Sequence, residues 1–92
     1  MSGRLFVGNL NFSVGDDALR EMFTQVGAVA CAEVVRDRFD GRSRGFGFVE
    51  MNSEEEAVSA IGELNGAELA GRPMRVEAAV SRREGERRSA AH

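Results

Sequence analysis

The sequence predicts an α+β domain in the order βαββαβ, with two helices packed on one face of a four-stranded antiparallel sheet. Three observations lead there. Short runs rich in β-forming residues alternate with a period of two, two intervening stretches carry helical periodicity, and glycine-containing turns punctuate the boundaries. Ninety-two residues, 42% of them apolar, suffice for one domain with a single compact core.

Arg4-Leu5-Phe6-Val7-Gly8 alternates and reads as the first strand. Over residues 16–26, Leu19, Met22, Phe23 and Val26 fall at i, i+3, i+4 and i+7, the apolar stripe of an amphipathic helix. Val14 and Leu19 occupy the two positions of a hydrophobic staple around the weak cap Gly15, and Gly27 ends the helix. Residues 28–36 form a second strand, followed by a loop that turns at Asp40-Gly41, and residues 44–51 form a third. Ser53-Glu54-Glu55-Glu56 is a capping box, with Ser53 accepting from the N3 amide and Glu56 reaching back. The helix it opens carries Ala57, Ile61 and Leu64 on one stripe and ends at Asn65-Gly66. Gly71 marks another turn, and Pro73 to Ala79 fit a last strand whose first position tolerates proline. This order is the ferredoxin-like, or split-βαβ, plan. The domain is expected to occupy residues 1–80. Residues 81–92, Arg-rich and without apolar periodicity, are expected to form a flexible tail whose four Arg either contact phosphates or only solubilise the end.

The third strand carries the sharpest signal. In Arg44-Gly45-Phe46-Gly47-Phe48-Val49-Glu50-Met51, alternation puts Arg44, Phe46, Phe48 and Glu50 on one face and Gly45, Gly47, Val49 and Met51 on the other. The second set lacks charge and is suited to meet the helices, so Phe46 and Phe48 point away from the core. In the first strand Leu5 and Val7 face the core, which leaves Arg4, Phe6 and Gly8 on the open side. With the first and third strands as central neighbours, Phe6, Phe46 and Phe48 form a platform flanked by Arg4 and Arg44. Such a surface suits unpaired nucleic-acid bases, each of which stacks on an aromatic for ~1–3 kcal/mol. Burying the three phenylalanines instead would bury Arg4, Arg44 and Glu50 and expose Leu5, Val7 and Val49. Phe23 is read as core and Phe12 as packing beside the first helix. Phe39, next to a turn, is either a loop anchor or an extra stacking group.

Leu5 to Leu10 and Arg44 to Met51 resemble the hexapeptide and octapeptide ribonucleoprotein motifs of the RNA-recognition motif family, the latter written K/R-G-F/Y-G/A-F-V-x-F/Y. Only the last position departs, where Met51 replaces an aromatic on the core side. The resemblance covers roughly residues 3–80, through the Arg-rich loop at 36–44 and the segment Asn65 to Arg72. It implies single-stranded RNA as ligand, in post-transcriptional regulation or RNA chaperoning. Phe6 and Phe48 would stack on successive bases, Phe46 would pack between sugars, and Asn9, within the first motif, would belong to the RNA-binding set. Single-stranded DNA stays open as a ligand, since discrimination rests on 2′-hydroxyl contacts that sequence does not show.

The net charge of −3 at first argues against a nucleic-acid partner. Its distribution answers the objection: the helices carry −6, the rest of residues 1–80 carries +1, and the tail carries +2. Negative charge thus gathers on the helical side as a solvated surface, and binding should lean on stacking more than on phosphate neutralisation. Arg36, Arg38, Arg42 and Arg44 form the densest basic cluster, tempered by Asp37 and Asp40. Arg42 and Arg44, next to the platform, are expected to contact phosphate, and Arg36 is placed with them. Glu33, Arg75 and Glu77, on the outer strands, are expected to read base edges, provided no bulge shifts the phase of the second strand.

Other classes fit less well. A protein-binding module of the same fold would use the acidic helices or cover the platform, which the intact phenylalanine trio disfavours. An enzyme is not expected, because His92 is the only histidine, the two motifs lack hydroxyl and thiol groups, and no glycine loop precedes a helix. No cofactor and no metal are expected, since paired ligands are missing, and Cys31 stands alone. The longest apolar run is Ala28 to Ala32, so neither a membrane partner nor a secretory leader is expected. The chain is read as a cytoplasmic monomer, or nuclear in a eukaryote. All twelve basic residues are Arg, which reflects either a high-GC, bacterial coding bias or selection for stacking guanidinium groups.

Overall fold

The computed structural model describes residues 3–79, so the expected boundary at residue 80 and the tail at 81–92 lie outside the described residues. The elements are β1 (Gly3–Gly8), α1 (Asp16–Thr24), β2 (Val29–Arg36), β3 (Ser43–Met51), α2 (Glu54–Leu64), β4 (Glu68–Leu69), β5 (Arg72–Pro73) and β6 (Arg75–Ala78). β2, β3, β1 and β6 lie side by side in that order with antiparallel neighbours, and β4 with β5 forms a separate hairpin. The α+β, ferredoxin-like plan expected from the sequence is the one observed.

The alternation sorts the faces as expected. Leu5, Val7, Val49, Met51, Val34 and Val76 of the sheet are buried against Leu19 and Phe23 of α1 and Ala57, Ala60 and Leu64 of α2. Each large side chain removed from water there contributes roughly 1.5–3 kcal/mol, which pins the helices to this face. The staple residues Val14 and Leu19 are both in the core, and Gly15 caps α1 without a side chain. Asp16 Oδ1 instead accepts from the Val34 amide at 2.8 Å, tying the start of α1 to β2. α1 stops at Thr24 rather than 26, because the Val26 amide bonds the Phe23 carbonyl three residues back and tightens the last turn.

The capping box of α2 forms with a different return contact. Ser53 Oγ accepts from the Glu56 amide at 3.2 Å, but Glu56 Oε1 accepts from the Ser53 hydroxyl rather than from its backbone N–H. Its other oxygen accepts from the Ala28 amide at 2.6 Å, so Glu56 fastens the N-terminus of α2 to the chain entering β2. These bonds, the Ala28 amide first, hold the Glu56 carboxyl below its ordinary value of 4.5.

Two strand expectations need correction. Pro73 does not open the last strand but pairs with Glu68 in the small hairpin, whose turn has positive φ at Ala70 and Gly71. Proline has no N–H for the sheet-edge ladder. The chain bends at buried Met74, whose amide bonds the Ala67 carbonyl, before β6 joins β1. In β3 the alternation breaks at Gly45, which has φ +84°, so Gly45 is half-buried instead of facing the core with Gly47. Ser43 is buried, its Oγ accepts from the Gly45 amide, and the Gly45 carbonyl accepts from Leu10. This irregularity lets β3 leave the sheet and enter the 37–42 loop.

Candidate nucleic-acid interface

The face opposite the helices is organised by strand register. Phe6 lies directly opposite Phe48, and the outer strands continue the same rung with Glu33 beside Phe48 and Glu77 beside Phe6. Register shifts in β2 fall between Val29 and Cys31 and between Val34 and Arg36, which leaves Glu33 in phase with the platform. The Phe6 ring centroid stands 5.8 Å from Phe46 and 5.9 Å from Phe48, and Phe46 and Phe48 are 6.4 Å apart. The rings are tilted or edge-on to one another, the arrangement their quadrupoles favour. All three are half-buried, each keeping part of its surface open to solvent. Gly8 makes room for this: a side chain there would begin 2.9 Å from the Phe6 ring.

Charges frame the platform in a definite pattern. The Arg4 guanidinium lies 4.8 Å from the Phe48 centroid. Arg75 Nε and Glu77 Oε2 pair at 2.7 Å on the outer strand, which fixes both heads beside Phe6 and Gly8. Glu33 and Glu77 therefore bracket the Phe6–Phe48 pair with acceptors, the groups that read amino donors on base edges. Asn9 is placed differently from a free ligand contact. It sits at the end of β1 with φ +57°, donates from Nδ2 to the Pro73 carbonyl at 2.7 Å, and accepts from Arg72 at 2.8 Å. The side chain clasps the β4–β5 hairpin to the sheet, a role the sequence reading missed.

Arg36, Arg42 and Arg44 are brought together, but away from the rung of aromatics. The break at Gly45 takes Arg44 out of the Phe46–Phe48 alternation, and the three Arg line a groove with Asp37, Asp40, Ser43 and Phe12. Arg36 also approaches the start of α1, its guanidinium 3.6 Å from where a side chain at Gly15 would begin. Phe12 does not pack beside α1, as expected, but is 69% exposed. Asn11 forms a local turn, with its Oδ1 accepting from the Ser13 amide and its carbonyl from Val14, and this projects Phe12 over Gly45. An asparagine one residue before the aromatic was the available signal. Phe39 is 94% exposed at the loop tip, so it anchors nothing among the described residues. Asp37 is held below the ordinary carboxylate range by the Phe39 and Asp40 amides and, more weakly, by Arg44.

The helical side carries exposed Asp17, Glu21, Glu54, Glu55 and Glu63, so the acidic charge is turned away from the aromatics. A four-stranded sheet backed by two helices, with clustered aromatics on its bare face, defines a β-sheet stacking module. The chain belongs to the RNA recognition motif family, whose sequence profile matches residues 5–75.

Similar proteins are found in plants and among solved structures. The chain is 47% identical over 89 residues to mitochondrial glycine-rich RNA-binding protein 4 of Arabidopsis thaliana, covering 97% of this chain and 65% of that protein. It is 53% identical over 81 residues to chloroplastic 29 kDa ribonucleoprotein B of Nicotiana sylvestris, where the match covers 88% of this chain but only 28% of the relative. The crystal structure of RNA binding protein PG1 superposes with a TM-score of 0.82 at 48% identity, covering 86% of this chain and 95% of that one. The second RNA-recognition domain of yeast poly(U)-binding protein gives 0.80 at 37% identity, covering 88% and 96%. Both plant relatives have organellar names, so they lend the cytoplasmic expectation no support.

Proposed function

We propose that the chain binds single-stranded RNA as a monomer, stacking successive bases on Phe6 and Phe48 with Phe46 against the intervening sugars. The observation that carries this reading is the cluster of three half-exposed phenylalanines on the face the helices leave bare. Aromatic surface in that position gains little from folding and much from a flat ligand. Glu33, Arg75 and Glu77 would read base edges, and Arg4 would follow the strand past Phe48. The relatives named as RNA-binding proteins support RNA over DNA. The role that follows is RNA regulation or chaperoning rather than catalysis.

Charge around the platform is nearly balanced, so a polyanion without accessible bases should bind poorly. Duplex RNA hides its base faces in the stack and offers Phe6 and Phe48 no surface. Competition against a labelled oligonucleotide should show at least ~10-fold preference for a single strand over a duplex of equal length, about 1.4 kcal/mol. Equal competition by the duplex, or by heparin at matched charge, would overturn the stacking mechanism.

A further inference from the structure

Phe12 lies outside the aromatic trio, yet it is the most conspicuous apolar group near it. It is largely exposed, and its ring edge stands 3.2 Å from where a side chain at Gly45 would begin. Gly45 also lines the open face beside Phe6 and Phe46, so the platform and the Phe12 groove share it as a common floor. The groove encloses about 640 Å³, within the range of small-ligand clefts.

The lining has the chemistry of a nucleotide site. Arg36, Arg42 and Arg44 contribute three guanidinium groups, and among the described residues none of them forms an ion pair within 4.0 Å. The two acids present are directed into the loop itself. Asp37 Oδ1 accepts from the Phe39 and Asp40 amides, and Asp40 Oδ1 accepts from the Arg42 amide. The Asp37 amide in turn bonds the Arg42 carbonyl at 2.7 Å, closing the loop on itself. The carboxylates thus hold the loop in shape and leave the guanidinium heads to an anion from outside.

We infer that this groove is an additional nucleotide subsite, in which a base stacks on Phe12 while its phosphate meets Arg42 and Arg44, extending the RNA beyond the sheet. The inference rests on the proposed platform reading, because the strand must reach the groove across Gly45 from Phe46. A separate ligand is disfavoured by that continuity. The site is open at the Gly45 side, and its arginines meet the strand's own phosphates without a gap in the surface.

The test compares randomised single-stranded RNA pools of about four and about eight nucleotides, short and long relative to a single-domain site. Phe12→Ala should weaken binding of the longer pool about tenfold and alter the shorter pool by less than about twofold. Arg42→Ala should flatten the dependence of log K on log salt for the longer pool alone, by ~0.7 for each phosphate the protein no longer neutralises. Unchanged affinity for the longer pool in Phe12→Ala overturns the subsite. Equal weakening of both pools overturns it too, since Phe12 would then act on the platform. If the unaltered protein binds neither pool, or Phe48→Ala leaves both affinities intact, the platform reading itself fails and the subsite falls with it.

Discussion

The Arg4 guanidinium lies 4.8 Å from the centroid of the Phe48 ring, although the residue directly across the ladder from Arg4 is Glu50. The diagonal contact wins at the surface because a guanidinium over a ring gains ~0.5–1 kcal/mol, at least as much as an exposed ion pair. We expect a thermal-unfolding cycle of Arg4→Ala and Phe48→Ala to return a coupling of ~0.5–1 kcal/mol. A coupling indistinguishable from zero would mean that the guanidinium is not held over the ring in solution.

Replacing Phe48 alone addresses the ligand. Its ring stands on the face away from Leu5, Val7 and Val49, which are fully buried, so truncation leaves the core intact. Phe48→Ala should weaken single-stranded RNA binding by ~1–3 kcal/mol while the variant still unfolds cooperatively. Anisotropy titration and melting followed by circular dichroism measure the two. Full affinity in a folded variant would remove Phe48 from the interface.

Glu56 gives the fold a dependence on acid. The Ala28 amide and the Ser53 hydroxyl favour its ionised form and lower its value in the folded state below 4.5. The unfolded chain therefore binds the proton more readily. The stabilisation is complete above 4.5 and is lost as the pH falls through the lower folded value. Glu56→Gln should lower the melting temperature at neutral pH and flatten the fall in stability on acidification. Parallel pH–stability curves for the two proteins would show that the carboxylate contributes nothing through its charge. Ser53→Ala, which removes the cap from α2, should cost ~0.5–2 kcal/mol.

What the residues determined by themselves was local and periodic. Alternation in Leu5-Phe6-Val7 and Phe46 to Met51 placed the aromatics opposite the core, because a one-residue change of phase would have buried Arg4 and Glu50. Helical spacing placed Leu19 and Phe23, and Ser53 announced α2, since a cap needs only the three residues that follow it. The motif resemblance added the ligand class, which periodicity cannot supply. Tertiary structure decided whatever depends on contacts between distant positions. Asp16 bonds Val34 across 18 residues, Glu56 bonds Ala28 across 28, and Asn9 bonds Pro73 across 64. Each side chain looks like an ordinary surface polar group until the fold presents its partner. Phe12 and Arg44 were placed in the same way. The positive φ at Gly45 ends the alternation that put Arg44 beside Phe46, and the turn at Asn11 lifts Phe12 away from α1, so the two meet in a groove that no spacing in the sequence records.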